Sequence, residues 1–281
     1  MTKGIDISSH QGAVDWEAVE ADFVMLRAGY GKSAAQEDKR FAENYRACTE
    51  KNIPVGAYWY SYAQTAADAE AEAQAAMEIL HGKQFAYPIF FDMEDKTQLS
   101  LSKTVMQDIA QRFCGILEQN QFFVGLYSYK SFLEQNFTET FLRRYAVWVA
   151  HTGIAQTTYR YPYGMWQYSH TGKVAGIRGA VDLDYAYADY PSIMVQKQRN
   201  GFAAKKVNPY VMPTRVLRLG SMGDDVRWMQ WELTERGFSV GEAGIDGSFG
   251  RDTQAALLAF QQANALETDG ICGPKTRAAL E

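Results

Sequence analysis

Five short runs, "GIDIS", "FVMLRAG", "PVGAYWYSY", "YPIFFDME" and "FFVGLYS", are rich in β-branched and aromatic residues and apolar almost without a break. A strand that alternates apolar and polar residues can leave one face in water. A strand apolar at nearly every position has to be covered on both faces, as parallel strands are. Helices are expected between the runs, over residues 14–21, 37–51, 66–81 and 102–120. In the second of these, Phe41, Tyr45 and Cys48 fall at spacings of four and three, one face of a helix. The third, "AADAEAEAQAAMEIL", is favoured as helix by its alanines and glutamates. Strand and helix in alternation imply βαβ units and a parallel sheet.

One more helix is expected near 131–143, and then the rhythm changes. "YAVWVA", "GMWQYS" and "GAVDLDYAY" read as strands, joined by stretches rich in Gly, Thr and Tyr that show no helical stripe. Eight strands close most economically into a barrel, because their side chains can fill its interior. With five strands followed by helices and three joined by loops, the fold class is α/β: a flattened, incomplete (β/α)8-like barrel, (β/α)5β3, over residues 1–191. Residues 192–215 carry five basic residues, no acidic one, two prolines and no period, and read as a linker. Residues 216–281 hold an internal repeat, "DGSFGRDTQAAL" and "DGICGPKTRAAL", aligned as DGxxGxxTxxAL from 246 and 269. Asp-Gly makes a turn, and Pro274 suits a first helical position. Upstream, Val226, Met229 and Leu233 share a helical face, so this tail is expected to be a small all-α bundle.

The 281 residues suit one large and one small domain, and 47% hydrophobic residues are ample for packed cores. A net charge of −5 with no basic patch argues against a nucleic-acid partner. No apolar stretch is long enough to span a bilayer, so no membrane partner is expected. The start, "MTKGIDISSHQG", lacks a signal peptide's apolar core, which predicts synthesis in the cytoplasm without a leader. Cys48, Cys114 and Cys272 are odd in number and scattered, and read as plain buried thiols. His10, His81, His151 and His170 show no ligand spacing; neither a metal nor another cofactor is expected, and the chain is expected to be monomeric.

The chemistry is concentrated where "YPIFFDMEDK" turns from apolar to acidic. On a strand Asp92 and Glu94 point to one side, about 6.5–7 Å apart. Two such carboxyls push their pKa values apart, leaving one ionised and the other able to give a proton. Glycoside hydrolysis needs that pair: an acid for the leaving oxygen and an anion facing the positive anomeric carbon. Asp6 sits between Ile5 and Ile7, and Asp182 and Asp184 flank Leu183, so alternation sends all three to the face opposite those aliphatics. First and last strands of a closed barrel are neighbours, which brings Asp6 to Asp182 at the mouth where barrel sites lie. A divalent-cation site of four carboxylates is the competing reading. Among the rings at the strand ends, Tyr60, Tyr62, Tyr127 and Trp166 are candidates to carry sugar rings. Arg27 ends the second strand and is a candidate partner for one of the acids.

"GIDISSHQG", "RAGYG", "PVGAYWYSY", "FFDMED", "GLYSY", "MWQYS" and "VDLDYA", in that order over residues 1–190, resemble the family 25 glycoside hydrolases. These are the Chalaropsis-type lysozymes, or N-acetylmuramidases, of phage endolysins and bacterial autolysins. Residues 216–281 resemble the peptidoglycan-binding type 1 domain, a three-helix wall-binding module, with "WMQWEL" where that family commonly has an LQ-containing helix. The resemblance implies cleavage of the β-1,4 bond between N-acetylmuramic acid and N-acetylglucosamine in wall peptidoglycan. It places Glu94 on the general acid and Asp92 on the carboxylate that assists the substrate's acetamido group or stabilises the cationic centre. Asp6 and Asp182 fall on two further acidic positions that bind substrate and tune those pKa values. Asp184 stands where many relatives have Asn, and takes a secondary, substrate-binding place beside Arg27 and the rings. A leaderless enzyme of this kind would reach the wall by phage-type release or non-classical export. A non-catalytic wall-binding barrel and a chitinase-like amino-sugar hydrolase are the alternatives.

Overall fold

All eight expected strands join one closed barrel in a computed structural model that describes residues 1–202, 208–264 and 266–280. They are β1 Thr2–Ile7, β2 Phe23–Tyr30, β3 Val55–Tyr60, β4 Ile89–Asp92, β5 Val124–Tyr129, β6 Ala146–Ala150, β7 Met165–Gly172 and β8 Val181–Ala186, in that order around the barrel. Neighbours from β1 through β7 are parallel, whereas β8 runs antiparallel to both β7 and β1. Helices α1 Phe41–Glu50, α2 Ala66–Leu80 and α3 Lys103–Gln119 follow β2, β3 and β4, and the short α4 Lys130–Asn136 and α5 Glu139–Leu142 follow β5.

The helix expected over 14–21 does not form. That stretch is held by a bond from Asp15 N–H to Gly176 O at 2.8 Å, and Trp16 is buried in the core outside the strands. A backbone pinned to the β7–β8 connection supplies its polar groups with partners other than an intrahelical ladder.

Strand alternation separates two cores. Ile5, Ile7, Val24, Leu26, Phe91 and Val147 face outward into the layer shared with the helices, where Phe91 stacks on Phe113 of α3 at 3.9 Å. Phe23, Met25, Tyr58, Phe90, Trp148 and Met165 face inward. The inner rings fit because neighbouring strands present glycines to them. A Cβ at Gly4 would stand 2.4 Å from the Phe23 ring, and one at Gly125 2.4 Å from Phe90.

The stretch 192–215, expected as linker, begins inside α6 Tyr190–Lys197. Tyr190 and Met194 are buried against the inner core, at the end of the barrel opposite the mouth. Asn200 is wholly buried there; its side chain donates to Tyr87 O at 2.7 Å and accepts from Phe123 N–H at 2.7 Å. Of the basic residues that suggest a connector, Lys197 is exposed and Arg199 half-buried, while Tyr190, Met194 and Asn200 carry the packing. Residues 203–207 of that stretch, with two of its lysines, lie outside the described residues.

The chain divides into two compact units, Met1–Ala204 and Lys205–Glu281. The second contains α7 Asp224–Glu235, α8 Arg251–Ala263 and α9 Pro274–Leu280, around buried Val226, Met229, Leu233, Leu257 and Phe260. The two sequence repeats fold into the same hydrogen-bond set. Gln230 Nε2 donates to Asp246 Oδ1 (2.8 Å), Ser248 O (3.1 Å) and Thr253 Oγ1 (3.1 Å), and its Oε1 accepts Gly247 N–H. Gln261 binds Asp269 Oδ1, Ile271 O, Thr276 Oγ1 and Gly270 N–H in the same way. One buried amide thus saturates each Asp-Gly turn and ties it to the following helix. All three cysteines are buried free thiols. No helix among the described residues is long and apolar enough to cross a membrane.

Candidate active site

The mouth of the barrel, where the parallel strands end, opens into a cavity of about 900 Å³. Asp6, Asp92, Glu94 and Asp182 all stand on its wall, with Arg27, Tyr60 and Tyr127. The direction of β8 explains how an acid near that strand's start reaches the same end. Running antiparallel, β8 begins at the mouth, and its Asp182 lies directly across from Asp6 in the register. Asp184 is two residues deeper.

Glu94 lies beyond the last residue of β4, yet keeps the strand's alternation. Met93 between the two acids is 1% exposed and anchored in the outer core, which turns Asp92 and Glu94 inward. The backbone is clamped on both sides: Ser61 N–H donates to Asp92 O at 2.9 Å, Met93 N–H to Tyr127 O at 3.0 Å, and Ser128 Oγ to Met93 O. Asp95 points elsewhere, capping Thr97 N–H and accepting the Tyr60 hydroxyl at 3.1 Å.

The acids are perturbed in one direction. Burial raises Asp92 well above the usual carboxylate range, and the charges of Glu94 and Asp6 add to it, while Arg27 opposes. Burial raises Glu94 too, opposed by a hydrogen bond from Tyr129 and reinforced by Asp182. Asp182 is raised by burial and held back by His170 and by its bond with Asp6. Such a cluster cannot be fully ionised near neutrality, so protons are stored at the mouth. Asp92 Oδ1 is buried with no hydrogen-bond donor among the described residues. No group of three or more His, Cys, Asp or Glu side chains among the described residues is arranged to hold a metal ion.

Several candidates from the sequence stand elsewhere. Trp166 faces outward, 4% exposed in the outer core, and donates its indole N–H to His151 O at 2.9 Å. Its neighbour Gln167 faces the cavity instead and bonds Asp6 Oδ2 at 2.8 Å. Tyr62 is 45% exposed on the loop after β3, off the cavity wall and packed on the Tyr60 ring at 5.1 Å. Asp184 is fully buried and does not reach the cavity, because the next inward position along β8 is already inside the packed barrel. Arg27 pairs with Asp38 at 2.7 Å rather than with one of the four acids, although its charge reaches Asp92. Sequence reasoning passed over Gln167, Tyr129, His10 and His170, all on the wall. Gln167 had a legible signal, a lone polar residue at an inward position of an apolar run; the exposed histidines and Tyr129 had none.

A buried carboxyl behind the mouth supports this geometry. Glu72 of α2 is fully buried, its Oε1 accepts Tyr62 N–H at 2.8 Å, and its Oε2 has no donor among the described residues. Gln98 joins the same loop from the β4 side, donating to Ser61 Oγ at 3.2 Å and Ala63 O at 3.0 Å. Burial raises Glu72 from 4.5 to about 7, against the bonds from Ser61 and Tyr62, with Asp68 and Lys32 acting weakly in opposite senses. The folded state therefore holds a proton that the unfolded chain releases, and stability falls as pH rises from 4.5 to about 7. Glu72→Gln is expected to remove that slope. The variant should match the parent near pH 4 and exceed it by up to about 3 kcal/mol at pH 8, read from denaturant midpoints. A parent-like slope in the variant would contradict a neutral Glu72.

Comparison with known proteins covers both units. Residues 5–177 match the glycosyl hydrolases family 25, and residues 222–280 match a putative peptidoglycan binding domain. An autolytic lysozyme of Clostridium acetobutylicum is 28% identical over 99% of this chain and 78% of its own length. The autolysin LytC of Streptococcus pneumoniae superposes with a TM-score of 0.58 at 30% identity, over 65% of this chain and 46% of that one. A bacterial lysozyme from Streptomyces coelicolor shares the fold, with a TM-score of 0.62 at 24% identity, over 72% of this chain and 98% of that one.

Proposed function

The chain belongs to family 25 of the glycosyl hydrolases, and on that premise we propose that it cleaves the β-1,4 bond between N-acetylmuramic acid and N-acetylglucosamine in peptidoglycan. The observation that carries this reading is Glu94, a half-buried acid on the wall of the mouth, its pKa raised by burial. In that state it holds a proton for the glycosidic oxygen as the bond breaks.

Asp92 is the partner. Its carboxyl lines the same wall, where it is an acceptor for an acetamido N–H of the substrate. Orienting that group would let the acetamido oxygen attack the anomeric carbon, and negative charge on Asp92 would stabilise the oxazolinium that forms. Asp6 and Asp182, paired across β1 and β8, complete the wall and raise the proton affinity of their neighbours. Tyr60 and Tyr127 offer ring faces with hydroxyls already engaged, by Asp95 and Gln167. Such faces suit sugar rings.

The second unit holds the enzyme on the wall. Tethering raises the local concentration of bonds near the mouth and so adds avidity rather than chemistry. Mass spectrometry of digested walls tests the whole reading, since a muramic acid at the new reducing end names the bond. N-acetylglucosamine at that end, or cleavage of chitin oligomers in preference to wall glycan, would replace it with the chitinase-like alternative.

A further inference from the structure

Five carboxyls meet in one end of the barrel, and Asp184 is the one among them that does not touch the cavity. Its Oδ1 accepts the Trp148 indole N–H at 2.8 Å, and its Oδ2 is buried with no donor among the described residues. The group facing it is Asp6, and the two side chains are within hydrogen-bonding reach of each other. Two carboxylates offer each other only lone pairs, so this contact holds only when one of them carries a proton.

We propose that Asp184 carries that proton and donates it to Asp6, which makes Asp184 a positioning residue that keeps Asp6 anionic and fixed in the wall of the mouth. Geometry puts the proton on the deeper partner. Asp6 reaches the cavity and accepts the Gln167 amide N–H at 2.8 Å. The amide is itself oriented, because the Tyr127 hydroxyl donates to Gln167 Oε1 at 2.9 Å. Besides Asp6, Asp184 has only the indole bond among the described residues, and it is fully buried. Two neutral donors, Gln167 and protonated Asp184, thus converge on Asp6. The titratable groups around the pair are Asp182 on β8, Asp92 on β4, Glu94 after β4, Tyr58 on β3 and Tyr127 on β5, none of them a cation. Burial raises both carboxyls well above the usual range, and the bond between them lowers Asp6 while raising Asp184.

Asparagine can reproduce a protonated Asp184, since its amide N–H donates to Asp6 and its oxygen accepts from Trp148. Asp184→Ala removes the donor and is expected to lower wall-lysis activity by about tenfold or more, whereas Asp184→Asn is expected to restore it to within about threefold of the parent. Infrared spectra of the folded parent at neutral pH should contain the C=O stretch of a neutral, buried carboxylic acid that is missing from Asp184→Asn. Identical carboxylic-acid bands in parent and Asp184→Asn would overturn the proposal, as would a folded Asp184→Asn as inactive as Asp184→Ala. The activity measurement rests on Asp6 taking part in hydrolysis. The infrared measurement needs no substrate, so the proton on Asp184 fails or stands separately from that reading, even if Asp184→Ala does not fold.

Discussion

Glu94→Gln should slow wall lysis by about 10²–10⁴-fold, the span that general acid catalysis supplies. Pelleting with purified walls should remain at the parent's level. Glutamine is nearly isosteric, so Met93 stays anchored and the backbone bonds around it are kept. What disappears is a transferable proton, because an amide cannot protonate the leaving oxygen. The loss should therefore appear in kcat. The parent's activity should fall as pH rises through the raised Glu94 pKa, since only the protonated form serves as the acid. Turbidity loss by the variant near the parent's rate would remove Glu94 from this role. Loss of pelleting along with lysis would instead point to damage beyond the mouth.

Asp38→Ala should destabilise the barrel by about 3–5 kcal/mol, the range for breaking a buried ion pair from one side. Asp38 has a 1% exposed side chain and accepts from Arg27 Nε at 2.8 Å, Ser9 N–H at 3.0 Å and Arg40 N–H at 2.9 Å. Alanine leaves Arg27 with Ser9 Oγ at 3.1 Å as its remaining hydrogen-bond acceptor among the described residues, and a cation stranded beside the acids. The denaturant midpoint of the barrel's transition should drop at neutral pH with little change in slope. Three bonds donated to its carboxylate and the Arg27 charge hold Asp38 below its usual pKa despite burial. Its contribution is therefore present above the unfolded value of 3.8 and fades as the pH falls through the depressed folded one. The gap between parent and variant should narrow in strong acid. An unchanged midpoint at neutral pH would mean that Arg27 finds an equivalent partner on its own.

Much of the mouth was legible because strand alternation is a local rule. Ile5 and Ile7 outward put Asp6 inward, and Phe91 and Met93 outward put Asp92 and Glu94 inward. The same rule could not rank Asp182 and Asp184, which share a face; depth along the barrel separates a residue at the wall from one sealed behind it. Rings suggest sugar contacts and so point to Trp166, but the phase of β7 turns Trp166 outward and Gln167 inward. The partner of Arg27 was hidden for a different reason. Asp38 lies on the connection after β2, and only the folding of that loop across Ser9 brings it to the guanidinium.

Periodicity, composition and motif order by themselves determined the strand-and-helix alternation, the eight-stranded closure, the repeated Asp-Gly turns and the set of acids that could meet. These follow from interactions within a few residues, where burial of one face leaves a mark on the sequence. Only the tertiary structure decided that β8 runs backwards and that Asp184 sits behind Asp6 and Asp182 without water. Direction, depth and partner depend on segments well over a hundred residues apart, as in the bond from Gln167 to Asp6. The energies that set them come from desolvation and charge inside the closed barrel.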